Sequence, residues 1–227
     1  NFRSFTPNWR TISIIYQVGV PSIIMQSISS VMTFGMNKIL IGFSETAVAV
    51  FGVYFKLQSF IFMPIFGLNN GMIPIVAYNY GARSKKRIME TVWLSIGIAV
   101  GIMLIGLMVF HLMTPQLLML FQADEEMLAI GVPALRIISL SFLFAGYCII
   151  VGSVFQALGN GVYSLIISVA RQLVCILPLA WFFARTFGLH AVWLSLPLAE
   201  ITSVVLSSIL FRKIYLDKIK PLGQAAA

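Results

Sequence analysis

Charged residues are scarce in this sequence. They make up 10% of the 227 residues, with 15 Lys or Arg and 7 Asp or Glu, whereas a soluble domain carries roughly 25%. Apolar residues reach 59%. A water-soluble fold of this length could not bury so much apolar surface. The composition therefore excludes that class and indicates helices that are covered by lipid.

Residue patterns that carry enzymatic chemistry are also missing. The sequence has no serine-nucleophile, HExxH or Walker A motif, so we predict that the chain is not an enzyme and needs no cofactor. It also has no selectivity-filter motif or ring of like charges that would indicate a channel. Cys148, Cys175, His111 and His190 lie within or at the ends of apolar runs. We expect them to have packing or interfacial roles rather than to bind metal.

Six apolar runs, by contrast, are each long enough to cross a bilayer, which takes about 20 residues. We predict an all-α, polytopic membrane protein in which residues 1–222 form one lobe, a bundle of six transmembrane helices. The predicted spans are 13–42, 49–78, 91–113, 134–158, 162–184 and 190–211. Residues 223–227, GQAAA, are interpreted as a cloning remnant.

Basic residues collect at alternate ends of these spans. Ten of them lie at the termini and around the 81–90 loop, whereas the other loops carry four acids against one arginine. Because cytoplasmic loops are enriched in Lys and Arg, we predict that both termini are cytoplasmic. The ARSKKR segment is then an orientation signal rather than a nucleic-acid patch. The basic residues are Arg3, Arg10, Arg83, Lys85, Lys86, Arg87, Arg212, Lys213, Lys218 and Lys220.

Two segments depart from a plain transmembrane helix. Residues 114–131 combine apolar residues at helical spacing with a cluster of acids, which predicts a short helix on the outer surface whose acids form a solvated face. Residues 64–74, PIFGLNNGMIP, hold two prolines and two glycines around Asn69 and Asn70. We expect a kinked or partly unwound helix there, which would be either a solute contact or a purely structural kink.

Polar residues recur on one face of five of the six predicted helices. Since polar groups in hydrocarbon must face protein or water, the stripes predict either contacts that hold helices together or a partly hydrated cavity. The length of the stripe on the first helix favours the cavity. The predicted substrate or cavity residues are Gln26, Ser30, Thr33, Gln58, Asn69 and Asn70.

Two opposite charges fall near the middle of the last two spans. Arg171 and Glu200 each lie about ten residues into consecutive, hence antiparallel, helices. A lone charge at the bilayer centre costs at least about 2.5–3.5 kcal/mol, so we hypothesise that the two form an ion pair. The pair is either a structural clamp or an ion-coupling switch in which Glu200 takes up a proton or cation.

Four segments resemble the C-terminal lobe of multidrug and toxic compound extrusion (MATE) transporters. They are GVPSIIMQ (19–26), MPIFGLNNGMIPIVAYNYGAR (63–83), SVFQALGNG (153–161) and SVARQLVCILPLAWFF (168–183). The PxxGxxxGxxPxxxYNxGA pattern in the second is the most specific of these. The resemblance extends from Trp9 to Lys220 and is to the bacterial branch of the MepA and DinF types.

The resemblance implies two six-helix lobes with a substrate cleft between them, in a bacterial inner membrane. It implies secondary active efflux of cationic amphipathic drugs, or other organic compounds, by antiport against H+ or Na+. The partners would be the substrate, membrane lipid and an N-terminal lobe. Some members carry cation-binding acids in the first and fourth helices of this lobe, where this sequence has Ser29 and Ala145, which cannot ionise as acids do. Two alternatives stay open, namely a flippase for lipid-linked sugars and a non-transporting scaffold or half-protein.

Overall fold

The computed structural model describes residues 8–223, apart from the side chains of Ile14, Gln17 and Val18. Arg3 and residues 224–227 lie outside the described part. Every regular element in that part is helical. The longer helices are α1 (Trp9–Leu40), α2 (Glu45–Gly81), α3 (Lys85–Leu112), α5 (Glu125–Ser139), α6 (Phe142–Ala157) and α10 (Ser195–Ile214); the shorter ones are α4 (Thr114–Met119), α7 (Gly161–Val169), α8 (Leu177–Thr186) and α9 (Leu189–Val192). Ala170–Ile176 and Tyr215–Ile219 are π-helical, and Lys220–Gly223 is a 3₁₀ turn.

Four helices of the described part are long and apolar enough to cross a membrane. They are Glu45–Gly81, Lys85–Leu112, Gly161–Thr186 and Leu189–Leu222, and α5 with α6 gives a fifth if the bent pair is one span. Helix α1 has 32 residues, about 48 Å at 1.5 Å per residue, which is long enough to cross a bilayer. The chain is therefore a polytopic helical membrane protein, and the crossing by α1 stays a prediction.

The fourth predicted span was wrong at its start. Helix α5 begins at Glu125, within the segment expected to be a short surface helix, and bends by 49° relative to α6 at residues 140–141. Asp124 caps α5, since its carboxylate accepts from the Met127 amide at 2.8 Å. The acids therefore mark a helix N-terminus, where carboxylates are favoured, and all three are exposed as expected. Only Thr114–Met119 forms the expected short helix.

Helix α2 is continuous through the proline-rich segment 64–74, which excludes the partly unwound helix, while the kink stays a prediction. Pro64 and Pro74 both lie inside the helix. Each proline removes one backbone donor, and transmembrane helices tolerate this because neighbouring helices supply compensating contacts.

Helix α6 lies at the centre of the bundle, against α2, α3, α7 and α10. Its close approach to α3 depends on Gly146, because a Cβ atom there would lie 3.1 Å from the backbone carbonyl carbon of Ala99. Edge-to-face contacts of Phe142 with Phe62 (5.6 Å) and Phe110 (5.2 Å) join α6 to α2 and α3. Since α6 also lines the interior space described below, these contacts fix the shape of that space.

Basic side chains hold one end of the bundle together. The Lys218 ammonium donates to the Leu158 carbonyl at 2.8 Å, and Lys213 lies 5.8 Å from the ring centre of Tyr163. Lys85, at the start of α3, lies 5.4 Å from the ring centre of Tyr215. The turn between α2 and α3, the turn between α6 and α7 and the C-terminal segment therefore meet at the same end, as the charge pattern requires. Which side of the membrane this end faces stays a prediction.

Candidate functional site

A cavity of about 680 Å³ opens between α1, α2, α6, α7, α10 and the π segment Ala170–Ile176. Three methionines, three phenylalanines and several aliphatic side chains form the apolar part of its wall, and every one of these elements also contributes polar groups. Four of the six predicted substrate or cavity residues line it, together with both predicted charges. They are Thr33, Gln58, Asn69, Asn70, Arg171 and Glu200.

Gln26 and Ser30 do not line this cavity, and whether they contact substrate stays a prediction. They line a shallower groove of about 470 Å³ on the outer side of α1, together with Asn37. Residues three and four apart cover a stripe more than 100° wide on a helix, so the polar stripe of α1 divides between two faces. Thr33 and Ser29 lie at the shared edge and line both spaces.

The hydroxyl groups of α1 are satisfied within their own helix. Ser29, Ser30 and Thr33 donate to the backbone carbonyl four residues earlier, at 3.3, 3.5 and 2.9 Å. Such back-bonding satisfies the donor without a partner on another helix. These hydroxyls therefore give the α1 wall weakly polar character rather than joining it to its neighbours.

Arg171 and Glu200 form the contact that the sequence suggested. The guanidinium Nη1 of Arg171 donates to Oε1 of Glu200 at 2.5 Å. The Glu200 side chain is 7% exposed, whereas that of Arg171 is 36% exposed. The carboxylate is thus deep in the protein, and part of the guanidinium faces the cavity. Whether the pair is a clamp or a coupling group stays a prediction.

The π segment that carries Arg171 was missed by the sequence reasoning. Pro178 follows it, and a proline cannot donate its backbone nitrogen. The hydrogen-bond register widens over Ala170–Ile176 before α8 begins at Leu177. Wide turns of this kind occur frequently at functional sites. The sequence signal that could have indicated this segment was Pro178 in the same apolar run as Arg171.

Tyr54 and Cys148 are two further cavity residues that the sequence reasoning missed. Tyr54 is 2% exposed, and both residues line the cavity together with Glu200. Tyr54 precedes Gln58 by four residues and Cys148 precedes Gln156 by eight, which places each pair on one helix face. Their weakly polar groups did not stand out within apolar runs. Ser29 and Ala145 also line the cavity.

Comparison with known proteins identifies a family and a set of relatives. The MatE family model matches residues 21–182. The chain is 27% identical over 203 residues to the multidrug export protein MepA of Staphylococcus aureus (strain MSSA476), a match that covers 88% of this chain and 44% of MepA. It is 26% identical to MepA of Staphylococcus haemolyticus, with the same coverage. The chain therefore spans about half the length of the curated relatives it matches.

Solved structures give the same result for the fold. The chain matches an outward-facing conformation of a multidrug resistance MATE family transporter of the MOP superfamily with a TM-score of 0.87, at 25% identity, over 99% of this chain and 50% of that one. An inward-facing conformation matches with a TM-score of 0.84, at 25% identity, over 100% and 52%. A MOP superfamily transporter from Pyrococcus furiosus, described as having a binding pocket of reverse polarity, matches at 0.87, at 26% identity, over 98% and 50%.

Proposed function

The chain belongs to the MatE family, and from this premise we propose that it forms one half of a secondary active multidrug exporter. The observation that carries the proposal is the 680 Å³ cavity, whose wall combines methionine, phenylalanine and aliphatic side chains with polar groups. Such a wall suits bulky organic cations, because aromatic faces attract positive charge and thioether side chains adapt to many shapes. The substrate class is therefore cationic amphipathic compounds, and transport is antiport against H+ or Na+.

Alternating access is the proposed mechanism. The chain resembles one half of both an outward-facing and an inward-facing relative, with similar TM-scores of 0.87 and 0.84. This supports a lobe that keeps its backbone fold while it moves as a body against a partner lobe. The cleft between the lobes then faces each side of a bacterial inner membrane in turn, with both termini of this chain in the cytoplasm. The partner is an N-terminal lobe of the same transporter.

The test is dye efflux from cells that lack their own exporters. The chain is expressed alone, together with the N-terminal half of a MatE relative, or replaced by an empty vector, and loss of ethidium fluorescence is followed after loading. We expect efflux only when both halves are present. Efflux from the chain alone would mean that copies of this chain complete the cleft. No efflux in either case, with folded protein in the membrane, would contradict the proposal and favour the flippase or scaffold alternative.

A cavity variant with a matched control locates the contribution of this lobe. Gln58 lines the cavity, whereas Gln116 lies on the short helix α4, away from it. Gln58→Leu removes an amide from the cavity wall at nearly constant size, so we expect slower efflux of some dyes and an altered order of preference among them. Gln116→Leu should leave that order unchanged. An identical preference order in both variants would place substrate contacts outside this cavity.

A further inference from the structure

The two carboxylate oxygens of Glu200 have different surroundings. Oε1 accepts from Arg171 at 2.5 Å, whereas Oε2 is buried and has no hydrogen-bond partner among residues 8–223. The residue as a whole is 5% exposed. A buried ion pair stabilises a fold only when its remaining lone pairs are also satisfied. Leaving Oε2 without a partner therefore costs stability, and a purely structural role for the ion pair does not explain that cost.

Arg171 has freedom that Glu200 lacks. Its side chain is 36% exposed and lines the cavity, and Nη1 makes its contact with Glu200 while the guanidinium carries five N–H donors in total. The residue also lies on the wide-turn π segment rather than on regular helix. The guanidinium can thus swing into the cavity and stay in a polar environment, while the carboxylate stays where it is.

We propose that Glu200 is the proton-binding site of this lobe and that Arg171 is its resident counter-ion, displaced when the proton arrives. The proton adds to the carboxylate, which becomes a neutral carboxylic acid. The contact from Nη1 to Oε1 loses its ionic component, and Arg171 is released towards the cavity with its positive charge unchanged. The site passes from net charge zero to plus one, and its backbone is not required to move. Protonation of Glu200 does not depend on the proposed function, whereas the role of this proton as the coupling ion of transport rests on it.

The surroundings of Glu200 favour a proton over a metal cation. Helix α10 packs against α5, α6, α7, α8 and the π segment. Of the titratable groups on these elements, Arg171 and Cys148 line the cavity, and Tyr54 does so from α2. A thiol and a phenol are uncharged near neutral pH, so Arg171 is the charged neighbour within the described residues. A proton needs one open lone pair, whereas hard cations take several oxygen ligands and would be repelled by the guanidinium.

Infrared spectroscopy of the chain reconstituted in lipid tests the proposal without any transport. The signal of protonated carboxylic acids is followed as the pH is lowered and raised again. The fluorescence of buried Trp193, in a background where Trp9, Trp93 and Trp181 are replaced by phenylalanine, reports tertiary structure. Subtracting the Glu200→Gln titration isolates the Glu200 component; glutamine keeps the size and an acceptor for Arg171. Glu90→Gln, at a side chain that is 62% exposed, is the control for an ordinary surface acid.

We expect the Glu200 component to appear and disappear reversibly while Trp193 fluorescence is unchanged. Arg171→Gln should strengthen the Glu200 component at a given pH, because the positive charge that opposes protonation is removed. Arg171→Lys should stay near the wild type. If Glu200→Gln does not fold, Glu200→Asp together with Arg171→Gln and Arg171→Lys distinguishes a proton-binding site from a structural clamp in the same way.

Three outcomes would overturn the proposal. One is a Glu200 component that appears only together with loss of tertiary structure, which is the behaviour of a structural clamp. Another is an Arg171→Gln titration that coincides with the wild type. The third is competition by Na+, in which replacing potassium by sodium suppresses the component and identifies a sodium site. Failure of dye efflux leaves this measurement intact, so the two proposals fail separately.

Discussion

Replacing Gly146 by alanine tests how tightly the central helix is packed. The new Cβ atom would lie 3.1 Å from both the carbonyl carbon and oxygen of Ala99 and 3.2 Å from the amide nitrogen of Val100. Carbon atoms in good contact are about 3.5–4.0 Å apart. The neighbours are backbone atoms of α3, which cannot turn aside as a side chain can. Helices α3 and α6 must therefore separate by about half an ångström.

The magnitude follows from a comparison with Gly97, which lies on α3 and whose added Cβ would have nothing within 4 Å. Alanine in place of glycine favours a helix by up to about 1 kcal/mol at both positions, so this gain cancels in the difference. Overpacking of a closely fitted core costs about 1–3 kcal/mol at Gly146 alone. We expect Gly146→Ala to be less stable than Gly97→Ala by about 1–3 kcal/mol.

The assay is equilibrium unfolding of both variants in mixed micelles with increasing SDS, with the free energy of unfolding compared with that of the wild type. Because α6 also lines the cavity, through Ala145 and Cys148, displacement of α6 should slow dye efflux in Gly146→Ala and not in Gly97→Ala. A Gly146→Ala variant as stable as Gly97→Ala would refute the close approach of the two helices.

Two further stability predictions use the same unfolding assay. The buried Ser164 hydroxyl donates to the Gly152 carbonyl at 2.7 Å between α7 and α6, so Ser164→Ala should lower the free energy of unfolding by about 0.6 kcal/mol, and by no more than about 1.7 kcal/mol. The control, Ser27→Ala, removes an exposed hydroxyl bonded within its own helix and should have no effect. Equal losses in the two variants would count against the interhelical bond. Gly159 has a φ of +74° in the turn between α6 and α7, a conformation that costs an L-residue about 1–2 kcal/mol. Gly159→Ala should therefore be destabilised by that amount, whereas Gly161→Ala, at the start of α7, should not be. The opposite order of stabilities would contradict the turn geometry.

Long apolar runs made most helices predictable, because their length is set by the bilayer. The bend between α5 and α6 was not predictable, since residues 139–141 include neither proline nor glycine. Ser139 there donates to the Arg136 carbonyl at 3.0 Å and lies 3.3 Å from Nδ1 of His111 on α3. The bend therefore depends on contacts between helices that are distant in sequence, which no local pattern records.

The candidate site was predictable from the sequence where only the depth of a residue in the membrane mattered. Arg171 and Glu200 could be paired because consecutive antiparallel helices bring equal depths together. The direction in which a side chain points needs the rotation of each helix, and polar periodicity fixes that rotation only within a wide arc. This is why Gln26 and Ser30 fall on the outer groove while Thr33 lines the cavity. Tyr54 and Cys148 were missed because an aromatic ring or a thiol in an apolar run is not distinguished by type from a packing residue.

The neutrality of the Arg171–Glu200 pair also has an electrical consequence. A paired guanidinium and carboxylate carry no net charge, so a transmembrane voltage exerts no net force on the closed site. Once protonated, the proposed site carries one positive charge, for which a potential of 100 mV is worth about 2.3 kcal/mol over the full membrane thickness, and proportionally less over a part of it. The membrane potential would then drive the loaded lobe inward and leave the return of the empty lobe unaffected. With an uncharged substrate, transport rates measured at different clamped voltages would therefore depend on voltage in one half of the cycle only.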